Sequence, residues 1–354
     1  MPPAIIAVVK ADGYGHGAAR IALALEQTGA AMLACADVDE GVALRQAGVR
    51  APILVFNANS PDGAHALFEH TLTPTIATPQ AAQVVQAAAA KRGRAIGYHL
   101  KIDTGMHRLG LRHDELHRAL PAILASDHLR LEGVFTHFAS ADAPDGTMFD
   151  QQCERFDAAS QTLMQLMAAS DRGLGSRRQR VLRHACNSAA LLRGPRAWYD
   201  AVRPGLLLYG VVPPPLSTKI SLQPVMSVTS RVVSLKELHE GEGVGYGSRF
   251  RASTPRTIAV VPAGYADGVD PRLSGCGQVL VRGHRVPVVG AVSMDMITVD
   301  VTDTSDVQIG DEVVLLGEQG SEHIDARGLA AAIGTIPWEV LCRLGPRVDR
   351  RYNG

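Results

Sequence analysis

The sequence has no long hydrophobic run and no excess of charge of either sign. No apolar stretch in its 354 residues approaches the length of a membrane-spanning helix, and the first residues lack the basic region and apolar core of a signal peptide. The 35 Lys and Arg residues balance 35 Asp and Glu residues, so no field favours a nucleic acid or an anionic membrane as partner. We therefore expect a cytoplasmic protein whose partners are neither nucleic acids nor membranes.

Cysteine is also scarce and scattered. The five cysteines are odd in number and contain no C-x-x-C pair; they are Cys35, Cys153, Cys186, Cys276 and Cys342. This pattern indicates a reducing compartment and argues against a zinc site or a disulfide framework, so we expect no metal ion. Two short arginine-rich patches, beginning at Arg172 and Gly345, lack interleaved aromatic side chains, and we interpret them as solvated loops.

The length and a change in composition near Val211 predict two domains. A chain of 354 residues exceeds the size at which single hydrophobic cores usually stop growing. The segment VVPPPLSTKI, which begins at Val211, is proline-rich and is typical of a linker. We place the first domain at residues 1–212 and the second at residues 217–354.

Apolar, β-rich runs alternate with helical patterns through the first domain. The predicted strands begin near Ile5, Ala31, Pro52, Thr71, Ala95, Leu131, Arg180 and Ala201. Eight strands at this rhythm favour an α/β fold of the (β/α)8 barrel type, with an open doubly wound sheet as the alternative. The second domain has closely spaced strand-like runs, punctuated by glycine and interrupted by one helical patch, DARGLAAAIG. We expect it to be a mostly antiparallel β domain.

The first predicted strand ends in the most informative stretch of the chain, IIAVVKADGYGHG, which begins at Ile5. A lysine at the end of a buried strand is costly unless a neighbour or a ligand uses its charge. Glycines around Tyr14 allow backbone N–H groups to approach an anion. Lys10 is thus either a Schiff-base lysine beside a phosphate-binding turn or a surface lysine at a strand-to-helix turn.

Other reactive side chains follow the later predicted strands, at the end where a barrel places its chemistry. They are Lys101, Asp103 and Arg108 after the fifth strand, His137 after the sixth, His184, Asn187 and Ser188 after the seventh, and Arg203 and Gly205 after the eighth. Ser188 and Gly205 follow the two strands after which barrels commonly bind phosphate.

Several of these residues also have a simpler interpretation. His137 can be a hydrogen-bonded core histidine, and Arg203 a surface residue at a strand end. Lys101 and Asp103 can form a buried ion pair. The coincidence of so many reactive side chains at one barrel rim favours a functional site.

Eight motifs, in order along the chain, resemble those of the bacterial alanine racemase family. They are KADGYGHG from Lys10, KIDTGMHRLG from Lys101, THFASAD from Thr136, HACNSAA from His184, RPGLLLYG from Arg203, GVGYGSRF from Gly243, PAGYADG from Pro262 and GAVSMDMITVD from Gly290. The resemblance runs from about Ile5 to Tyr352. It implies a pyridoxal-5′-phosphate enzyme, built of an α/β barrel and a C-terminal β domain, that interconverts L-alanine and D-alanine.

The resemblance also implies catalytic roles. Lys10 carries the cofactor and, once released, acts as the base on one face of the substrate carbanion, while Tyr246 acts on the other face. His137 and Arg203 support the Tyr246 phenolate, and Arg203 meets the pyridine nitrogen of the cofactor. Because arginine keeps its proton and has no acceptor, that nitrogen is left unprotonated and the ring is a weaker electron sink.

Binding roles follow from the same resemblance. The remaining cofactor-binding set is Tyr14, Asn187, Ser188, Tyr352 and the backbone of Gly205 and Leu206. The substrate-binding set is Arg108, Met294, Asp295 and Tyr265, the last of which narrows the entrance together with Tyr352. Lys101 matches a lysine that is often carbamylated in relatives. Considered without the resemblance, Tyr246 and Tyr265 are strand aromatics.

Tyr246 and Met294 belong to the second domain, whereas Lys10 belongs to the first. In the family the active site forms between the barrel of one subunit and the β domain of its partner, so the resemblance implies a homodimer. D-alanine supply for peptidoglycan and alanine catabolism are both compatible roles. Alternatives are a racemase of serine or of a broader amino-acid range, a non-catalytic pyridoxal-phosphate barrel protein, a decarboxylase of the same architecture and an inactive barrel.

The chain departs from the family at its beginning. Relatives usually carry a strand and a helix before the lysine strand, and the segment Met1-Pro2-Pro3 leaves room for neither. We expect that the translation start is assigned too late; the alternative is a shortened form with an uncovered sheet edge.

Overall fold

The structure is a computed structural model that describes residues 2–58, 63–170 and 180–353. Its contacts divide the chain into two compact units. The first comprises Met1–Gly13, Gly17–Leu208 and Pro215–Lys219, and the second comprises Tyr14–His16, Tyr209–Pro214 and Ile220–Gly354. The boundary at residues 212–217 stays a prediction. The arginine patch that begins at Arg172 lies outside the described residues, except for its last residue.

The first unit is a closed barrel of parallel strands. The strands are β1 (Ala4–Val8), β2 (Met32–Cys35), β3 (Ile53–Val55), β4 (Thr73–Ile76), β5 (Ile96–Asp103), β7 (Leu129–Phe135), β8 (Leu182–Cys186) and β9 (Ala201–Val202), and a short β6 (Leu111–Arg112) pairs with β5. Pairing of β4 with β5 and of β1 with β9 closes the ring. Closure confirms the predicted barrel and excludes the open sheet.

Helices connect these strands. They are α2 (Ala18–Gln27), α3 (Val38–Gln46), α4 (Ala64–Glu69), α5 (Pro79–Arg92), α6 (Leu116–Leu124), α7 (Thr147–Ser170) and α8 (Ser188–Arg193), preceded by a single left-handed turn, α1 (Lys10–Tyr14). Asp37 and Thr78 cap α3 and α5 by accepting backbone N–H groups, and Gly93 ends α5 in the left-handed conformation. Short 3-10 helices follow at Pro195–Ala197 and Leu206–Tyr209.

The second unit contains an antiparallel sheet, which confirms the predicted β domain. Its strands, in spatial order, are β10 (Val228–Arg231), β18 (Glu312–Gln319), β15 (Gln278–Val281), β16 (His284–Val289), β17 (Ile297–Asp300), β14 (Arg256–Val261) and β11 (Ser234–Leu238), with β19 (Glu322–Ile324) paired to β18. Alternate valines of these strands, among them Val279, Val281, Val286 and Val288, are buried in its core. A separate hairpin of β12 (Gly243–Val244) and β13 (Phe250–Arg251) carries the 3-10 turn Tyr246–Ser248.

Two short helices lie near the C-terminus. The predicted helical patch is α9 (Ala326–Ala332), capped by Asp325, whose side chain accepts from the Gly328 N–H. The second helix, α10 (Pro337–Cys342), is absent from the sequence predictions because six residues are too few for a helical periodicity to show. Within the described ranges, no helix is both long enough and apolar enough to cross a membrane.

Candidate active site

A left-handed turn follows β1 and begins at Lys10. All four residues of Ala11–Tyr14 have positive φ, between 52° and 62°. The left-handed conformation costs a non-glycine residue about 1–2 kcal/mol, so the turn is strained at three positions. The Gly13 N–H donates to the Val9 carbonyl at 2.9 Å and starts the turn directly at the end of the strand. Lys10 therefore lies at the carboxyl end of the barrel, where the functional interpretation needs it.

Tyr14 and the contact of Tyr352 lie two residues apart on the segment Tyr14–His16, which belongs to the second unit. The ring of Tyr14 is buried against Tyr209, with centroids 4.8 Å apart. Burial raises the pKa of the Tyr14 phenol, and the nearby Cys342 raises it further, so the hydroxyl stays protonated and can donate. The Tyr352 hydroxyl donates to the His16 carbonyl at 3.1 Å. Tyr352 thus contacts the backbone two residues after Tyr14.

Arg203 is buried just after β9 and is held by acceptors. Its Nη1 donates to His184 Nδ1 at 2.9 Å, and its Nη2 donates to the carbonyls of Thr136 and Ala185 at 2.7 and 3.1 Å. Burial lowers the pKa of Arg203 to about 10, which leaves the guanidinium charged at neutral pH. No hydrogen bond from its Nε–H to the described part of the chain is found, and Nη1 uses only one of its two N–H groups, so the Nε–H is an oriented donor that can serve a ligand. Arg203 is therefore not a surface residue.

Two histidines extend this network: His184, a rim candidate predicted from sequence without a role, and His99, which was not predicted. Because a guanidinium can only donate, His184 Nδ1 must accept, and the proton of His184 is on Nε2. That Nε2 lies 2.8 Å from Nδ1 of His99, which accepts in turn. Burial, reinforced by the charge of Arg203, lowers the pKa of both imidazoles, to about 4 for His99. A sequence signal existed, since His99 stands two residues before Lys101 on β5 and hence on the same face.

His137 is surrounded by positive charge. Its Nδ1 accepts from Arg203 Nη2 at 3.3 Å, which leaves the proton on Nε2. Burial lowers the pKa of His137 well below its usual value, and four cations lower it further: Arg203, Lys101, Arg108 and Lys10. The imidazole is therefore neutral and keeps one donor. The convergence of these charges on one ring shows that the predicted rim residues of the first unit gather at one place.

Lys101 is buried on β5, and its charged form is disfavoured. Burial, together with the charges of Arg108 and Arg203, lowers the pKa of Lys101 to about 8. Among the described residues no ion pair joins it to Asp103, whose carboxylate instead accepts three consecutive N–H groups at residues 105–107. The simpler interpretation, a buried ion pair, is therefore wrong. Arg108 itself is exposed in the single chain.

The loops after β8 and β9 meet at Ser188. Its Oγ accepts from the N–H groups of Gly205 and Leu207, at 2.9 and 3.3 Å. Since these bonds use the hydroxyl as an acceptor, its own proton remains to be donated. Leu206 lies between the two amides, so the predicted phosphate residues of this region are adjacent. Asn187 has a structural contact instead, because its carboxamide oxygen accepts a backbone N–H in the first turn of α8 at 2.9 Å.

The second unit presents the remaining predicted residues. Tyr246 is 78% exposed on the turn of the β12–β13 hairpin, so the unit by itself leaves this phenol in solvent. Backbone hydrogen bonds of 3.0 and 3.1 Å tie the turn at Tyr265 to the loop at Met294. Arg347 donates to the carboxylate of Asp295 at 2.8 Å and braces the same loop. The predicted substrate segment and entrance tyrosine are therefore neighbours.

Known proteins are similar to this chain in sequence and architecture. The family model described as "Alanine racemase, N-terminal domain" matches residues 1–213, and "Alanine racemase, C-terminal domain" matches residues 225–352. The chain belongs to the alanine racemase family. The alanine racemase of Symbiobacterium thermophilum is 42% identical over 353 residues, which cover 99% of this chain and 91% of the relative. That of Nostoc sp. is 41% identical over 350 residues, covering 98% and 88%.

Solved structures of the family agree with the fold. The alanine racemase of Streptomyces lavendulae superposes with a TM-score of 0.91 at 34% identity, covering 99% of this chain and 91% of that one. The enzyme of Bacillus anthracis with bound L-Ala-P gives 0.87 at 34% identity, covering 98% and 87%. The barrel and the antiparallel sheet are thus the architecture of the alanine racemase family.

Proposed function

We propose that this protein interconverts L-alanine and D-alanine with pyridoxal 5′-phosphate as cofactor. Its membership in the alanine racemase family supports the reaction. At the level of residues, the proposal is carried by Arg203. Its buried guanidinium has an oriented Nε–H that no hydrogen bond among the described residues uses, and it lies at the carboxyl end of the barrel strands, as Lys10 does. An unprotonated pyridine nitrogen is the acceptor that such a donor fits.

The other side chains at the rim fit the rest of this cofactor. A phosphate needs several donors, and we assign the hydroxyl of Ser188, the protonated phenol of Tyr14 and the backbone N–H of Leu206 to it, while the N–H of Gly205 holds the Ser188 oxygen. An aldehyde needs an amine, which Lys10 supplies. The donor set therefore matches a phosphorylated pyridine that carries an aldehyde.

Two bases of this chain do the proton transfer. When bound, the cofactor withdraws electrons from the substrate Cα and makes its proton acidic. We assign the amine of Lys10 to one side of that carbon and the phenolate of Tyr246 to the other. Each base removes the proton in one direction of the reaction and returns it in the other. The chirality of the product depends only on which base returns the proton.

His137 and Arg203 assist the second base. A free tyrosine has a pKa of about 10, so its phenolate needs donors or positive charge nearby. Neutral His137 keeps its Nε2–H for this purpose, while Arg203 holds its Nδ1. Because Arg203 keeps its proton, it leaves the pyridine nitrogen unprotonated and less charge is spread into the ring. That restraint suits an enzyme that must return the same amino acid.

Carbamylation of Lys101 is consistent with the same site. The neutral amine of Lys101 adds to carbon dioxide and releases one proton, which yields an anionic carbamate. A pKa of about 8 supplies the neutral amine near physiological pH, and Arg108 and Arg203 offset the new negative charge. The carbamate then orients Arg108 toward the substrate carboxylate.

We further propose a homodimer in which the second unit of one subunit completes the site of its partner. The large side chains of Tyr246, Met294 and Tyr265 are 78%, 51% and 46% exposed in the single chain. Exposed aromatic and methionine side chains in one region are typical of a surface that a partner covers. There the Met294 backbone and Asp295 border the substrate, and Tyr265 narrows the entrance in favour of a methyl side chain. A cytoplasmic enzyme of this kind supplies D-alanine for peptidoglycan or serves alanine catabolism.

The test of this function uses the whole chain purified with pyridoxal 5′-phosphate. The wild type should show the visible absorbance of a lysine-bound cofactor and should convert L-alanine to D-alanine, measured by chiral chromatography. Lys10→Ala should abolish both, whereas Lys91→Ala, at an exposed lysine of α5, should change neither. A wild type without the absorbance, or a Lys10→Ala variant that keeps it, contradicts the assignment. If L-serine is inverted faster than L-alanine, serine and not alanine is the preferred substrate.

A further inference from the structure

The C-terminal segment at residues 344–352 reaches back to the turn that follows Lys10. Arg350 donates from Nε to the Gly15 carbonyl at 3.0 Å, across a sequence separation of 335 residues. Tyr352 donates to the next carbonyl, that of His16, at 3.1 Å. Gly15 and His16 belong by their contacts to the second unit, as do both donors. Two consecutive carbonyls of the turn are therefore held by one segment.

Arg350 is itself oriented by the backbone of its own segment. Its Nη2 donates to the Leu344 carbonyl at 3.0 Å, and its Nη1 lies 3.4 Å from the carbonyls of Gly345 and Val348. Because the guanidinium is a rigid planar fork, these contacts set the direction of the Nε–H. The sequence of this arginine patch predicts a solvated loop. The segment is a loop, but Arg350 is half-buried and its guanidinium donates hydrogen bonds to backbone carbonyls.

The turn that Arg350 contacts needs such support. The residues Ala11–Tyr14 have left-handed backbone angles, and strained conformations persist only where the surroundings over-determine them. Gly15 continues the positive φ at +81°, and its Cα packs so closely on α10 that a Cβ would lie 2.1 Å from the Leu341 carbonyl. The carbonyl side of Gly15 is held by Arg350 and its Cα side by α10. Because Tyr14 is the preceding residue, the direction of its side chain is restricted as well.

We propose that Arg350 is a positioning residue that orients Tyr14 toward the cofactor phosphate. The proposal rests on the function proposed above, because it assigns Tyr14 to pyridoxal 5′-phosphate. Arg350 acts through the Gly15 carbonyl and touches no reacting atom. Its hydrogen bond is charge-assisted and so stronger than a neutral one. Its loss releases the turn, and Tyr14 and Lys10 then lose their fixed directions together.

The experiment compares the full-length wild type with Arg350→Ala, Arg350→Lys and Arg351→Ala. Arg351 is the matched control, since its side chain is adjacent, 88% exposed and paired with Asp349. One measurement is the dissociation constant of pyridoxal 5′-phosphate from the cofactor-free protein, by absorbance titration. The other is hydrogen exchange of the cofactor-free protein over residues 11–18, where the N–H groups of Gly13 and Gly17 donate to backbone carbonyls.

Arg350→Ala should weaken cofactor affinity about tenfold or more and speed exchange in the turn, while Arg351→Ala changes neither. Arg350→Lys keeps the charge but loses the fork, so it should behave like the alanine variant. Equal affinity and equal exchange in the Arg350 and Arg351 variants would overturn the proposal. If Arg350→Ala does not fold, Arg350→Lys decides by the same two measurements. A wild type that binds no cofactor contradicts the proposed function, whereas the exchange data decide whether Arg350 holds the turn.

Discussion

At the scale of single residues, the chemistry of this site is set by a side chain that can only donate. Arg203 has no acceptor, so each group around it must accept, and this requirement determines where the protons of His184 and His137 are. Because His184 therefore carries its proton on Nε2, the Nδ1 of His99 must accept from it. One buried guanidinium therefore decides the protonation of three imidazoles. The result is a charged Arg203 in contact with neutral rings, which burial favours for the histidines.

Lys101 provides a pH-dependent test of the electrostatics at this scale. Its pKa is lowered to about 8 in the folded protein, whereas an unfolded lysine has its ordinary value of 10.5. Below pH 8 the folded state therefore carries an unfavourable ammonium, and stability rises between pH 8 and pH 10.5 because the unfolded state binds more protons. Lys101→Met should raise the free energy of unfolding by up to about 3 kcal/mol at pH 7, and the gain should vanish near pH 10.5.

The measurement is urea denaturation at a series of pH values in buffer free of carbon dioxide, so that Lys101 stays unmodified. Lys236→Met, at an exposed lysine of β11, serves as the control and should show no gain that depends on pH. A Lys101→Met gain of the same size at pH 7 and pH 10.5 contradicts the shifted pKa.

At the scale of structural elements, the turn between β1 and α2 combines strain with close packing. Gly15 has φ +81°, and a Cβ there would lie 2.1 Å from the Leu341 carbonyl of α10. Gly29, at the end of α2, has φ +92° and no atom within 4 Å of such a Cβ. The two glycines share the left-handed conformation and differ in packing. A comparison of the two positions therefore distinguishes the cost of backbone strain from the cost of a steric clash with α10.

Replacement of these two glycines by alanine should therefore have unequal effects. Gly29→Ala meets only backbone strain and should cost about 1 kcal/mol. Gly15→Ala adds a clash with a backbone carbonyl that cannot move alone, so it should cost about 2–4 kcal/mol. Chemical denaturation of both variants measures the difference. Equal losses in the two variants would show that α10 does not pack against the turn as described.

At the scale of the whole molecule, the two proposed bases belong to different units. Lys10 is in the barrel and Tyr246 is on an exposed hairpin of the β unit. In a symmetric dimer, the hairpin of one subunit can place its Tyr246 at the barrel of the other. Two-fold symmetry repeats the same contact, so both sites are completed in the same way. The site is then complete only in the assembly. In the proposed dimer, activity is therefore expected only from the assembled pair.

Coexpression of Lys10→Ala and Tyr246→Ala chains tests this sharing. Each variant alone should be inactive. In the mixed dimer, one site combines the intact Lys10 of one chain with the intact Tyr246 of the other, so random pairing should restore roughly a quarter of wild-type activity. The measurement is D-alanine formation by the coexpressed mixture, with each single variant as control. If the two bases came from the same chain, every site would lack one base and the mixture would stay inactive.

The predictions made from sequence succeeded where the signal is local. Alternating apolar runs and helical patterns were enough to predict the barrel, because each element is encoded within a few consecutive residues. The order of the predicted strands was enough to name the reactive residues at the strand ends, whereas the roles that the family motifs imply for them stay predictions. The six-residue α10 was missed, since no periodicity fits in that length.

Contacts between distant segments required the tertiary structure. His99 and His184 are separated by 85 residues, and Arg350 and Gly15 by 335, so no local pattern announces their hydrogen bonds. The same holds for the pKa of Lys101, which is lowered by burial and by the charges of Arg108 and of the distant Arg203. Composition and motif order thus establish the fold class and the chemistry that the chain carries. Burial and pairing across the fold decide which groups are charged and which way they point, because both depend on neighbours that only the folded chain brings together.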